Sequence, residues 1–277
     1  MYKYPRTPHI QGSRPQSGDE DLEMVPFEAI AGRHLIIQEK VDGANAGIWF
    51  DAAGNLNLQS RGHVLTGGPR ERQFDLFKAW AARHYQALFR ALGNRYVLYG
   101  EWLYAKHAVF YDALPHYFLA FEVLDRPGSR FLDTESRHAL LGETPVVSVP
   151  VLYEGTVRNL RALESLVGPS PHKSPAWKER LRETCESLRM DADVVLRETD
   201  ASDLMEGLYI KVEENREVVG RYKFVRASYA SAVPRHDRPL IPNQLQPEVD
   251  LFAERSGRTA LANAGPARRL PRRQKPV

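Results

Sequence analysis

Three short apolar runs between residues 34 and 60 restrict the folds open to this chain. They cover residues 34–37, 46–50 and 56–59, and turn-forming residues 51–55 separate the last two. Apolar or alternating runs joined by such a turn predict a β-hairpin. Hairpin strands are antiparallel, so the sheet that contains them is not built from strand–helix–strand units alone.

The rest of the chain alternates predicted helices with predicted strands. Helical spacing of apolar residues predicts helices over residues 70–92, 156–167 and 174–190, with Ser174 as the N-cap of the last. Further strands are predicted over residues 96–101, 117–123, 208–212 and 218–224, whereas residues 1–25 carry the Pro, Gly and Asp pattern of irregular structure. This order predicts an α+β fold, with antiparallel sheets flanked by helices.

Composition excludes several classes of protein. Hydrophobic residues make up 43% of the 277 residues, which is enough for a core and excludes disorder of the whole chain. Cys185 is the single cysteine, so no intramolecular disulfide can form. We see no apolar leader and no run of about 18 apolar residues. We therefore expect a soluble, cytoplasmic protein without a membrane partner.

Charge is distributed unevenly along the chain. Residues 253–277 carry a net charge of +6, so residues 1–252 carry −3 of the total of +3. Segments of like charge are usually flexible, and a basic segment can bind nucleic acid through its phosphates. A solvated tail without specificity explains the same composition. We expect one domain over residues 1–252 and a basic, flexible tail over 253–277.

A lysine at the end of an apolar strand is the main chemical signal. Lys40 lies between Glu39 and Asp42-Gly43, and Asn45 follows closely. Asp-Gly alone is an ordinary turn. A lysine whose pKa is lowered by burial or by neighbouring cations is, however, a nucleophile that can form a covalent intermediate.

Five further segments place polar residues at strand ends or on strands. Taken singly, each is also compatible with a solvated strand end, but together they suggest one site. Arg221 and Lys223 should share a strand face because they are two residues apart. The segments are Ser60-Arg61-Gly62, Tyr99-Gly100-Glu101, Phe121-Glu122, Glu206-Gly207 with Lys211, and Arg221-Tyr222-Lys223.

In this order the six segments resemble the covalent nucleotidyltransferases, and most closely RNA ligases of the phage RNA ligase 2 type. Lys40-Val41-Asp42-Gly43 is similar to motif I of that superfamily. The remaining similarities are Arg61 to motif Ia, Glu101 to motif III, Phe121-Glu122 to motif IIIa, Glu206-Gly207 to motif IV and Lys223 to motif V. Residues 9–14 and 238–243 also resemble segments of bacterial RNA-ligase-like proteins.

The resemblance implies a nucleotidyltransferase (ligase adenylation) domain over residues 1–252 that uses ATP and Mg²⁺ or Mn²⁺. Lys40 would become adenylylated, AMP would pass to an RNA 5′-phosphate, and a 3′-hydroxyl would displace it. A kinase or phosphatase could prepare such ends, and the sequence does not identify one.

The resemblance also implies a role for each site residue. Lys223 and Lys211 would neutralise the α-phosphate and help to keep Lys40 unprotonated. The other implied roles are metal binding by Glu206, stacking on adenine by Phe121, a ribose contact by Glu101, a ribose or phosphate contact by Arg61, and positioning of nucleotide and metal by Glu39 and Asn45.

Two alternatives use the same residues. A DNA ligase or a GTP-dependent capping enzyme would share Lys40, and a non-catalytic protein could bind RNA ends on the same fold. Asn45 follows the RNA ligase 2 pattern, whereas many DNA ligases have arginine there, and the 51 residues after Arg226 are too few for an appended OB-fold. Arg221 departs from the lysine usual in motif V, and arginine cannot lose its charge.

Overall fold

The structure is a computed structural model that describes residues 1–16, 18–19, 21–229 and 239–254. Its twelve described strands are β1 (His9–Ile10), β2 (Met24–Val25), β3 (Leu35–Lys40), β4 (Ala44–Phe50), β5 (Leu56–Ser60), β6 (Tyr96–Trp102), β7 (Phe118–Asp125), β8 (Arg130–Phe131), β9 (Val147–Ser148), β10 (Val151–Gly155), β11 (Gly207–Glu214) and β12 (Glu217–Val225). The described α-helices are α1 (Asp75–Arg83), α2 (Tyr85–Leu92), α3 (Thr134–Leu141), α4 (Leu160–Glu164), α5 (Trp177–Ser187) and α6 (Ala192–Arg197).

The strands form two six-stranded sheets. The first sheet has the order β10-β3-β11-β12-β1-β2, and the second has the order β5-β4-β6-β7-β8 with β9 beside β7. Neighbouring strands are antiparallel except where β1 lies beside β12 and β2, and where β9 lies beside β7. The predicted α+β class with antiparallel sheets and flanking helices is confirmed.

Each sheet buries its outer face under helices. On the second sheet, the side chains of Phe77 and Trp80 from α1 and Leu88 from α2 are fully buried in the largest core cluster. On the first sheet, Leu163 of α4 packs into a separate cluster with residues of β3 and β11. Apolar burial of this kind supplies most of the stability of such a fold.

The two sheets face each other across a gap with many polar groups. Gln38 of β3 donates to the Val149 carbonyl at 2.7 Å, and the Phe121 and Tyr209 rings lie 5.8 Å apart between centroids. Arg221 of β12 pairs with the buried Glu122 of β7 at 3.1 Å. The inner faces therefore meet through polar and aromatic contacts, and a cavity remains between them.

The seven strands predicted from the sequence are confirmed with small shifts at their ends. The predicted helix over 70–92 is instead a 3-10 segment followed by α1 and α2, which are separated at His84. The predicted helix over 156–167 is shorter, because α4 begins after its N-cap Asn159. Ser174 is not the N-cap of α5; its backbone amide donates instead to Asp112 at 2.7 Å. Residues 1–25, predicted to be irregular, contain β1 and β2.

Residues near the end of the described chain pack against the second sheet. Asn243 accepts from the Tyr111 amide at 2.9 Å and donates to the Leu103 carbonyl at 2.7 Å. Arg238 and most of the basic tail, residues 255–277, lie outside the described residues, so the prediction of a flexible tail stays a prediction. Among the described residues, no helix is long and apolar enough to cross a membrane.

Candidate active site

A cavity of about 680 Å³ opens between the two sheets. Its size is in the range of small-molecule sites. Seven of the nine predicted site residues contribute to its lining, whereas Glu206 lies directly behind Lys40 and Lys211 lies elsewhere. The seven are Glu39, Lys40, Asn45, Arg61, Glu101, Phe121 and Lys223.

Lys40 is held at the cavity by pairing of β3 with β11. In this register Lys40 lies opposite Gly207, so the preceding residue Glu206 reaches the lysine, and Lys40 Nζ lies 2.5 Å from Glu206 Oε1. Glycine is required at position 207 by the other neighbouring strand, β12, because a Cβ there would lie 1.9 Å from the Phe224 carbonyl oxygen. Glu206 is buried, and a quarter of the Lys40 side chain is exposed to the cavity.

Lys40 is protonated in this arrangement. Burial alone would lower the pKa of Lys40, but the Glu206 carboxylate, with Asp42 and Glu101, outweighs it and raises the pKa above its ordinary value. The expectation that neighbouring cations keep Lys40 unprotonated is therefore wrong for the protein without ligands. A neutral amine at Lys40 would therefore require that these carboxylates be neutralised or turned away.

The Asp42-Gly43 segment connects the two sheets rather than closing a hairpin. The Asp42 carboxylate accepts from the amides of Ala108 and Val109, both at 2.8 Å. At Gly43 a Cβ would lie 2.7 Å from the Trp102 carbonyl oxygen, so only glycine fits this crossing. The segment thus fixes the end of β3, and with it Lys40, against the second sheet.

Oxygen atoms face the cavity from both sheets. Asn45 and Glu101 are cross-strand partners on β4 and β6. Burial raises the pKa of Glu101 to about 8, although Lys40 lowers it. Asn45 Oδ1 and Glu206 Oε2 are buried and have no hydrogen-bond partner among the described residues. These atoms are acceptors available to a cation or to donor groups of a ligand.

The Glu39 carboxylate does not face the side chain of Lys40. Successive side chains of a strand alternate, so Glu39 points to the opposite side of β3 from Lys40. Its carboxylate accepts from Ser170 Oγ at 2.8 Å and lies 3.9 Å from His172. Burial raises the pKa of Glu39 to about 8. The predicted role of this side chain in positioning nucleotide and metal finds no support in this placement.

Glu39→Gln should make stability less dependent on pH. The pKa of this carboxyl is about 8 in the folded protein and near its ordinary value of 4.5 in the unfolded chain. The folded protein therefore loses stability as the pH rises between these two values. We expect the variant to match the parent near pH 5 and to exceed it by about 1–2 kcal/mol at pH 8.5. Urea unfolding at both pH values measures this. An equal difference at both would contradict a protonated Glu39.

The two cations of β12 lie on one face, as predicted, but have different partners. Lys223 pairs with Asp19 of the N-terminal segment, and Asp19 also contacts His9 at 3.1 Å. Burial lowers the pKa of Lys223, and Asp19 opposes this. Arg221 instead pairs with Glu122 and does not line the cavity. Only Lys223 is therefore placed to meet a ligand.

Lys211 is not part of the cavity. It lies opposite Ile36, four residues along β3 from Lys40, a separation of about 13 Å. Its ammonium is fully buried and donates to Thr134 Oγ1 at 2.8 Å. The predicted α-phosphate contact is therefore wrong: the register of β11 against β3 places the lysine in the protein interior.

Two glutamines were missed by the sequence analysis. Gln38 lies two residues before Lys40 and lines the cavity. Because side chains two residues apart on a strand share a face, its position relative to Lys40 was the signal that could have identified it. Because its Nε2 donates to Val149, its Oε1 is the acceptor left over, and that atom is buried and without a partner among the described residues. Gln16 donates to Glu206 at 3.0 Å, and no local pattern indicated that contact.

Comparisons with solved structures show the fold. An RNA ligase of Naegleria gruberi, as a variant with AMP and Mn, matches at 15% identity over 83% of this chain and 57% of that chain, with a TM-score of 0.53. A second variant with AMP and Mn matches at 15% identity over 82% of this chain and 63% of that chain, with a TM-score of 0.50. The chain thus spans less than two thirds of their length. No curated protein that was compared with the sequence gives a significant match.

The sequence itself matches a family. The model of the family described as RNA ligase covers residues 33–225, which include Lys40, Glu101, Glu206 and Lys223. This span is well over half of the chain and contains β3 to β12. The resemblance inferred from the six segments is confirmed at the level of the family. The chain belongs to the RNA ligase family.

Proposed function

We propose that this protein is an ATP-dependent RNA ligase that seals 5′-phosphate and 3′-hydroxyl ends through a lysyl-AMP intermediate. The observation that carries the proposal is the placement of Lys40 Nζ at a cavity between two sheets. Glu206 lies beside it, Lys223 lines the cavity from the same sheet, and Asn45 and Glu101 line it from the facing sheet. Family membership and the AMP- and Mn-bound Naegleria ligases support it.

In the first step, Lys40 Nζ attacks the α-phosphorus of ATP. A phosphorus–nitrogen bond forms and the bond to pyrophosphate breaks. Lys40 Nζ releases two protons, one when the ammonium becomes the attacking amine and one when that amine becomes the phosphoramidate. Such transfers depend on positioning and charge neutralisation more than on acid–base chemistry. Lys223 and the exposed Arg61 supply positive charge at the cavity, and Lys223 exchanges Asp19 for phosphate when the nucleotide binds.

The oxygens at the cavity fit a divalent cation such as Mg²⁺ or Mn²⁺. Glu206 Oε2 and Asn45 Oδ1 are buried acceptors without partners among the described residues, and Glu101 lies beside Asn45. Mg²⁺ is typically held by one or two carboxylates and by substrate phosphates. When bound, the cation would neutralise the carboxylates that hold Lys40 protonated. The described residues contain no group of three or more His, Cys, Asp or Glu that could hold a metal.

Gln38 favours adenine over guanine at this site. Its free Oε1 is an acceptor, and adenine presents an amino group where guanine presents a carbonyl oxygen. Gln38→Leu should raise the KM for ATP about tenfold, because a buried hydrogen bond is lost, while the maximal rate of adenylylation changes little. Single-turnover labelling over a range of ATP concentrations measures this. An unchanged KM would place the base away from Gln38.

RNA takes part in the second and third steps of the reaction. AMP passes from Lys40 to a 5′-phosphate, and the 3′-hydroxyl then displaces AMP to form the phosphodiester. The basic residues at 255–277 could add phosphate contacts, and they lie outside the described part of the chain. The ends that the enzyme seals would come from an end-healing kinase or phosphatase.

Incubation with ATP or GTP labelled at the α-phosphate tests the proposal. We expect Mg²⁺-dependent label from ATP on the denatured protein, transfer to RNA with a 5′-phosphate, and joining to a 3′-hydroxyl end. Label from GTP would indicate a capping-type enzyme, and sealing of DNA alone would indicate a DNA ligase. Absence of label in folded protein free of bound AMP would leave an RNA-end-binding protein.

A further inference from the structure

The backbone of β7 contains a β-bulge at Phe121. Tyr99 of β6 pairs with Glu122, and the next residue, Gly100, pairs with Ala120, so Phe121 is an extra residue opposite β6. A bulge redirects one side chain and leaves backbone groups outside the ladder. Here the redirected side chain is the aromatic ring that lines the cavity.

Two buried cations hold the carbonyl of this bulge. Arg137 of α3 donates a short hydrogen bond to the Phe121 carbonyl oxygen, and Lys211 Nζ lies 3.4 Å from the same atom. Both side chains are fully buried. Arg137 Nε has no hydrogen-bond partner among the described residues. The bulge carbonyl is thus a main point of attachment for these cations.

Stability alone does not explain this arrangement. Burial lowers the pKa of Lys211 to about 7 and that of Arg137 to about 10, which shows the cost of placing both charges there. Glu213 lies 3.4 Å from Lys211, but it also accepts from Thr134 Oγ1 at 2.6 Å. Apolar side chains of similar volume are often as stable as buried ion pairs. The two buried side chains therefore serve to hold the Phe121 carbonyl in one position.

We propose that Arg137 and Lys211 are positioning residues that set the Phe121 ring against the nucleotide base through its backbone carbonyl. The inference rests on the proposed function, in which Phe121 stacks on adenine. The neighbouring residue is held independently, because Glu122 accepts from Arg221 at 3.1 Å and from Tyr209 at 3.2 Å. Because both the Phe121 carbonyl and the neighbouring Glu122 side chain are held, the backbone at Phe121 is fixed in one orientation. That orientation sets the direction of the ring.

Lys211→Met and Arg137→Met test the proposal through equilibrium binding of ATP. Each removes one donor to the carbonyl, and base–aromatic stacking is strong enough that we expect ATP to bind about five- to tenfold more weakly. The decisive comparison is a double-mutant cycle with Phe121→Leu. If the cations act through the ring, neither methionine substitution weakens binding further in the Phe121→Leu background.

Lys173→Met is the matched control. Lys173 also donates to a backbone carbonyl, that of Ser202 at 2.6 Å, and its ammonium lies 3.7 Å from the centre of the Trp177 ring of α5. We expect its ATP affinity to equal that of the parent. Thermal unfolding identifies folded variants, and Thr134→Val, which removes the hydroxyl that Lys211 contacts, serves in the same cycle if neither methionine variant folds.

The outcomes separate this inference from the proposed function. Additive losses in the cycle, or a loss in Lys173→Met equal to that in Lys211→Met, would overturn the positioning role while leaving covalent labelling intact. ATP binding with the expected cycle but without covalent label would overturn the ligase proposal and keep the positioning role. Absence of ATP binding by the unsubstituted protein would overturn both.

Discussion

Lys40→Ala is expected to abolish covalent labelling by ATP. Lys40 is the lysine whose ammonium lies at the cavity beside Glu206, whereas Lys223, the other described lysine of the lining, is paired with Asp19. Lys40→Arg should be equally inactive, because a guanidinium keeps the ion pair with Glu206 but is not a nucleophile at neutral pH. The measurement is label retained on denatured protein in the presence of Mg²⁺.

Lys106→Ala is the informative control for this prediction. Burial lowers the pKa of Lys106 to about 8, so by pKa alone it would be the better nucleophile, yet it does not line the cavity. We expect this variant to retain label. Loss of label in Lys106→Ala with retention in Lys40→Ala would show that pKa rather than position selects the nucleophile.

The strands were predictable because their signals are local. Alternation of apolar residues and turn-forming residues located seven strands, and the ends of those strands located Lys40, Arg61 and Glu101. The same periodicity placed Arg221 and Lys223 on one face. This periodicity was also sufficient to identify Gln38, since every second residue of β3 lies on the same face as Lys40.

The remaining features depend on contacts between distant residues. The role expected for Lys211 failed because it needed the register of β11 against β3, which no local pattern provides. The protonated state of Lys40 depends on Glu206, which is 166 residues away in the chain. The ion pair between Lys223 and Asp19 likewise joins a strand to a segment that reads as irregular. Sequence motifs thus identified the residues, and packing decided their electrostatic state.

Glu206→Gln is expected to change two properties of Lys40 in opposite directions. In the free protein the carboxylate raises the pKa of Lys40, so its removal should lower that pKa and speed modification of Lys40 by a small amine-directed reagent at pH 8. Adenylylation by ATP and Mg²⁺ should nevertheless fall about a hundredfold, because the carboxylate that we propose as a ligand of the cation is lost. Peptide mapping of the modified lysine and single-turnover labelling measure the two effects.

The opposite signs make this substitution more informative than a loss of activity alone. A disturbed fold would slow both reactions or expose many lysines, whereas a lost ion pair acts on Lys40 alone. Asp125→Asn provides the comparison, since Asp125 is another buried carboxylate, paired with Arg95 at 2.8 Å at the far end of β7. It should lower stability without changing the reactivity of Lys40. If Glu206→Gln slowed both reactions in folded protein, Glu206 would serve to orient Lys40 rather than to hold it protonated.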